Sequence, residues 1–289
     1  MSKFVNLDRQ CQQCFIDAAH RIADRHHMPE HVKAPMIEKV REAVAAAGPD
    51  TVPPRVARVV FPLIAEALGV DDPFVGVKEE ANIRAGEIAP ELRRRIETAD
   101  DPFAAAVRIA LAGNAIDFVF RDAPDLLDSV ENLMAQELGI DEIDRLRDEL
   151  QSAERVLMFG DNVGETWCDR LLIERFPPHV NVEYAVRSVP VLNDATLPDA
   201  RAAGIDEMAE VFPSGSDAPG TLLDLVTDDT RERFARADVV ISKGQGNFEA
   251  LYGRADRPIY FLFLVKCLHV ENIIGQPKGK GIIWRWSPE

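Results

Sequence analysis

From residue 155 onward the chain alternates short apolar runs with helical stretches, and this rhythm narrows the folds open to it more than any other feature. Runs at residues 155–159, 182–186, 238–242 and 258–265 have the length and composition of buried strands. Between and after them, residues 166–175, 198–203, 222–237 and 248–252 read as helices. Strands alternating with helices imply right-handed crossovers and a mostly parallel sheet covered on both faces. The first hundred residues differ. Apolar positions recur there at helical spacing through residues 7–26, 32–47, 56–68 and 83–96, with Pro and Gly in the gaps. Pro102 follows Asp100 and Asp101 as a helix start, opening a long apolar helix over 103–120, and a charged helix over 140–153 leads into the first strand. The expected division is a helical region at 1–98 and an α/β domain at 99–289.

Charge limits the partners. Lys and Arg number 33 against 49 Asp and Glu, a formal charge of −16 in 289 residues. Such a surface repels phosphate backbones, so nucleic acid is not an expected partner, and a phosphorylated ligand needs a locally positive site. No run approaches the roughly 20 apolar residues of a membrane span. With no apolar signal core after Met1, the expected location is cytoplasmic, with no membrane partner. The hydrophobic share of 46% suffices for a substantial core.

In a parallel sheet, ligands sit outside the carboxyl ends of strands, so the loops there carry the chemistry. After the first strand come Asp161 and Asn162, a carboxylate and an amide that either hold a hard divalent cation or cap the following helix. After the second strand, residues 187–194 supply Arg187 and Asp194. The stretch 214–221, with Ser214, Gly215 and Asp217, is small and glycine-rich before a helix, a form whose amides cradle anions. After the strand at 238–242 comes Lys243 in Ser-Lys-Gly-Gln-Gly-Asn247, where glycines allow close approach to a phosphate. Together these loops place three candidate metal ligands, a lysine and an arginine where strand ends converge.

Asp161-Asn162-Val-Gly-Glu165, Asn193-Asp194, residues 242–247 and Gly113-Asn114-Ala-Ile-Asp117 resemble the motifs of the damage-control phosphatases, a metal-dependent family first catalogued as a domain of unknown function. Cys11-Gln-Gln-Cys14 resembles its amino-terminal cysteine-pair subgroup. The resemblance implies a helical region on a three-layer α/β/α sandwich, with Asp161, Asn162 and Asp194 as metal ligands and Lys243 on the phosphoryl group. It also implies a small phosphorylated metabolite, often a sugar phosphate, as substrate. Mg2+ or Mn2+ suits the oxygen ligands best, with Co2+ or Ni2+ as further candidates.

Chemically, an ion at those three residues neutralises phosphoryl oxygens while Lys243 and Arg187 carry further developing charge. Attack falls either to water directly or to Asp161 through a phospho-aspartate. Glu165 is either a base or partner of the site or simply an acid in a helix's first turn. Asn114 and Asp117 share a helix face and point either to the site, as substrate contacts with Asn247, or into a structural network. Cys11 and Cys14 also share a face. Two cysteines are too few for closed zinc, though His20 and Cys267 are available to join, and packing is the simpler role. Two rivals compete with the phosphatase reading. An S-adenosylmethionine-dependent carboxyl methyltransferase would use the 159–164 loop for a nucleoside cofactor with Glu183 on the ribose, and a non-enzymatic metabolite-binding protein needs no chemistry at all.

Overall fold

The computed structural model of the chain describes residues 4–113 and 126–288. Its strands are β1 (Ile140–Asp141), β2 (Arg155–Phe159), β3 (Asn181–Val186), β4 (Glu210–Pro213), β5 (Val239–Lys243), β6 (Ile259–Leu264) and β7 (Gly281–Trp286). They lie side by side in the order β1-β7-β6-β5-β2-β3-β4. Every neighbouring pair is parallel except β6 with β7.

The alternation of β2 shows why the sheet is covered twice. Val156 and Met158 face one layer, with α4 (Val75–Thr98), α5 (Pro102–Gly113), α7 (Ile143–Ser152), α8 (Glu165–Ile173) and α9 (Leu197–Ala202) supplying Leu92, Ile109, Leu146, Leu172 and Ala200. Leu157 and Phe159 face the other, where α10 (Asp228–Arg236), α11 (Gln245–Leu251) and α12 (Leu268–Ile274) contribute Phe234, Phe248 and Ile273. Each large apolar side chain so buried stabilises by about 1.5–3 kcal/mol, and a one-residue slip would swap the two faces, so the register is strongly specified. The result is a three-layer α/β/α sandwich. The helix α6 (Leu126–Ala135) packs beside α5.

Ahead of the sandwich, α1 (Arg9–Arg25), α2 (Glu30–Ala46) and α3 (Pro53–Leu68) share a separate core around Ile22, Val40, Val60 and Ile64. Asp8 caps α1 by accepting the Cys11 N–H at 2.8 Å, and α3 opens on two prolines and ends at Gly69 in the left-handed region. This small core reaches the sheet through Val191 and Leu192, so the helical region packs on the loop after β3. Helix α4 instead joins the sandwich, with Ala85, Leu92 and Ile96 in its core. No helix among the described residues is long and apolar enough to cross a membrane.

The chain runs outward from β2 in both directions, to β3 and β4 on one side and to β5 and β6 on the other. The carboxyl ends of β2 and β5 therefore flank the topological switch point, where an open α/β sheet forms its crevice.

Candidate active site

The loops after β2 and β3 are laced together by backbone. The Ala195 N–H donates to the Asp161 carbonyl at 2.8 Å, the Val163 N–H donates to the Asn193 carbonyl at 2.9 Å, and Asn162 forms an isolated antiparallel bridge with Asp194. This lacing brings Asp161, Asn162 and Asp194 into one place although the first and last are 33 positions apart. The loop after β5 closes the third side. A Cβ on Gly244 would stand 1.9 Å from Asp161 Oδ2, and the residue sits at φ +80°, so only glycine fits there.

Asp161 and Asp194 are 7% and 3% exposed. Burial first, then the charges of Asp194 and Glu165, push the Asp161 carboxyl well above the usual range, while Lys266 and Arg187 pull it back. Asp194 is raised as well, chiefly by burial, against the opposing pull of Arg187 and Lys266. Two neighbouring buried carboxylates with such a penalty on their charge are a site that gains from a cation. The donor set fits a hard one, because Asn162 adds an amide oxygen and no sulfur or imidazole is present. Among the described residues no three His, Cys, Asp or Glu side chains gather closely enough to hold a metal, so two carboxylates and an amide are what this crevice offers.

Arg187, only 2% exposed, stands behind Asp194. Its Nε donates to Asp194 Oδ2 at 2.6 Å, and its other nitrogens donate to the Thr221 hydroxyl at 3.2 Å and to Asn247 Oδ1 at 3.0 Å. Asn247 in turn donates to the carbonyls of Gly160 and Lys243, tying the ends of β2 and β5 together. Both residues are thus committed to the walls of the crevice.

Lys243 is fully buried, with no part of its ammonium at the surface. It donates to Glu165 Oε1 at 2.6 Å, to the Ala110 carbonyl at 3.1 Å and to Asp169, which also accepts the Tyr184 hydroxyl at 2.7 Å. Burial raises the Asp169 carboxyl to about 6 even beside that lysine. Burial works against the Lys243 charge too, but the two carboxylates outweigh it and raise the ammonium above its ordinary value.

The other expected residues divide. Ser214 is buried, its carbonyl accepting from Thr227 and Thr230, and the Gly215 N–H donates to the Ser188 hydroxyl at 2.6 Å. Asp217 turns to the helical region and pairs with Arg58 of α3 at 2.5 Å. Asn114 and Asp117 lie outside the described residues; Gly113 just before them packs against Glu165. Glu183 lies within β3 and pairs with Arg233 and Arg236, so it is not the strand-end acid that a nucleoside cofactor needs.

Sequence reasoning passed over Lys266. It follows β6, half-buried, with its N–H on Gln245 Oε1 at 2.8 Å, and its charge lowers the carboxyls of Asp161, Asp194 and Glu249 alike. The signal was available, since Lys266 stands at a strand's carboxyl end as Asp161 does. Beside it, Cys267 comes within electrostatic reach of Cys14, and His269 pairs with the α1 cap Asp8 at 2.9 Å.

The comparisons agree with this architecture. Residues 7–282 match the damage-control phosphatase ARMT1-like domain. A damage-control phosphatase of Pyrococcus horikoshii is 32% identical over 285 residues, covering 97% of this chain and 98% of its own length. Another, from Archaeoglobus fulgidus, is 33% identical over 220 residues, covering 74% of this chain and 76% of its own. The crystal structure of a DUF89 family protein from Pyrococcus horikoshii superposes with a TM-score of 0.88 at 31% identity, over 97% of this chain and 99% of that one. The chain is a member of the damage-control phosphatase ARMT1-like family.

Proposed function

We propose that this protein is a divalent-metal-dependent phosphatase that hydrolyses phosphate monoesters of small metabolites, sugar phosphates among them. The observation that carries the reading is the pairing of two buried, charge-penalised carboxylates with the Asn162 amide at the switch-point crevice, within electrostatic reach of Lys266. Family membership supports the same chemistry.

Asp161, Asn162 and Asp194 would hold the ion, Mg2+ or Mn2+ by their hard oxygen donors. Bound there, it supplies charge neutralisation for the phosphoryl oxygens. Arg187 favours the charged form of Asp194 against the penalty of burial and holds its Oδ2 by a hydrogen bond. Lys266 takes up negative charge that grows on the phosphoryl oxygens as the ester bond breaks. The helical region, packed on Val191 and Leu192, holds the loop that carries Asp194.

A panel of phosphometabolites assayed with several divalent ions tests the reading. Turnover should require the ion, and Asp161→Ala or Asp194→Ala should lower it by about a thousandfold or more, on the order of 4 kcal/mol. Lys266→Met should lower kcat/KM by about a hundredfold, on the order of 3 kcal/mol, with ion affinity not weakened. Metal-independent turnover, or a fully active Asp161→Ala protein, would sink the proposal.

A further inference from the structure

We propose that Lys243 serves this site from behind, as a positioning residue that acts through Glu165 to fix which end of the Asn162 amide faces the crevice. The proposal rests on the reading of Asp161, Asn162 and Asp194 as the cation site. It assigns Lys243 no contact with the phosphoryl group.

An ammonium has three hydrogens, and on Lys243 all three are engaged, by Glu165, Asp169 and the Ala110 carbonyl, with no exposed surface left. A phosphoryl oxygen would have to displace one of two charged acceptors in a sealed interior. Glu165 is equally enclosed and works in two directions. Its Oε1 accepts from Lys243, while its Oε2 lies 3.3 Å from Asn162 Nδ2 and 3.5 Å from the Asn162 backbone nitrogen. The second hydrogen of that amide goes to Asp161 Oδ2 at 2.8 Å.

Asn162 is planar, so two donated hydrogen bonds on one side leave its carbonyl oxygen on the other. Rotated by half a turn, the amide would set its oxygen against the carboxylates of Asp161 and Glu165, an arrangement with two repulsions and no hydrogen bonds. The negative charge of Glu165 is therefore what selects the rotamer that offers an oxygen ligand. Lys243 keeps that charge in place. Without it, the like charges of Glu165 and Asp169 would repel across a dry interior, and Glu165 would lose the hydrogen bond that fixes its Oε1. Displaced, Glu165 no longer biases Asn162. Replacement of partners that orient a metal ligand typically costs 10- to 100-fold in affinity.

The test measures Mn2+ affinity by electron paramagnetic resonance of the free ion, and inorganic phosphate affinity by calorimetry at saturating Mn2+. The variants are Lys243→Met, Glu165→Gln and the double variant, with Lys266→Met as contrast. Glu165→Gln keeps the shape of the side chain but must point an NH2 at either Lys243 or the Asn162 amide, two donors facing each other. The proposal expects each single variant to weaken Mn2+ at least tenfold, with phosphate affinity changed less than about twofold. The double variant should be no worse than the weaker-binding single one, because both residues act along one path. Lys266→Met should do the reverse. If Lys243→Met does not fold, Glu165→Gln decides alone. Wild-type Mn2+ affinity in Glu165→Gln overturns the proposal, as does a Lys243→Met protein that loses phosphate and keeps Mn2+. A wild-type protein whose Mn2+ affinity is the same as that of Asp161→Ala takes down the site assignment and this inference together.

Discussion

Two buried cations stand within the same sheet end, and they are partnered differently. Arg187 faces one carboxylate, Asp194, and otherwise the neutral oxygens of Thr221 and Asn247. Lys243 faces two carboxylates, Glu165 and Asp169, and a carbonyl. The first pair is neutral and borders the crevice through Asp194. The second group carries one surplus negative charge and is sealed. The difference teaches which charge a bound ion can relieve. An ion held as proposed would neutralise Asp194 directly, whereas Glu165 meets that site by hydrogen bonds to Asn162.

The largest effect that separates the two is therefore on stability. Removing one partner of a buried ion pair costs about 3–5 kcal/mol, because the other charge is left unpaired. Arg187→Met and Lys243→Met should both lose on that order in thermal or denaturant melts without metal. Saturating Mn2+ should restore most of the Arg187→Met loss, since the ion replaces the missing counter-charge on Asp194. It should restore little for Lys243→Met, and adding Glu165→Gln with Asp169→Asn should help there instead. Equal rescue of both by Mn2+ would erase the distinction between an open and a sealed network.

Glu249 gives a smaller, pH-dependent version of the contrast. It is half-buried on α11, and burial lifts its carboxyl to about 7 against the pull of its Gln245 hydrogen bond and of Lys266. The folded value lies above the ordinary 4.5, so the folded state binds more protons between the two. Its stabilising contribution is present below about pH 4.5 and lost as pH rises through about 7. Glu249→Gln should match wild type near pH 4 and be more stable by about 1–3 kcal/mol at pH 8. Melts across that range with no difference at pH 8 would show the carboxylate to be well solvated or firmly paired.

These two cases also mark what the sequence could and could not disclose. Strands β2, β3, β5 and β6 were legible because each is a dense apolar run, and the Asp161 and Asp194 loops were legible because parallel strands end there. The edge strands β1 and β4, and β7 beside β1, were not. Two residues at β1 carry no pattern, Glu210 and Pro213 dilute β4, and nothing in the sequence of β7 reveals its antiparallel partner β6. Helix α10 begins six residues later than its apolar pattern suggests, because Thr227 caps it by accepting the Thr230 N–H at 3.2 Å. Most instructive is Lys243, expected to face phosphate. A lysine after a strand looks the same in sequence whether it turns outward or inward. Its direction is decided by Glu165 and Asp169, four apart on one face of α8, and the sequence does not show which strand that face will meet.

The smallest effect belongs to Cys11 and Cys14, which lie on α1 outside both charged networks. Cys11 is half-buried on α1, and Cys14 reaches solvent at its edge although protein surrounds much of it. That surrounding protein, more than the charges of Glu249 and Cys267, raises the Cys14 thiol to about 11, and Cys11 is raised further for the same chief reason. Both therefore stay protonated at neutral pH, which makes them weak nucleophiles and weak ligands. A serine is nearly the same shape and carries no charge that either network must accommodate. The variant with Cys11→Ser and Cys14→Ser should keep activity within about twofold under reducing conditions and lose less than about 1 kcal/mol of stability, the scale for small substitutions outside a packed core. Kinetics, melts and metal analysis of the purified protein check this together. A folded but inactive double variant, or a zinc equivalent in the wild type that disappears on substitution, would place these thiols within the working site and end the contrast between charged and uncharged surroundings of the crevice.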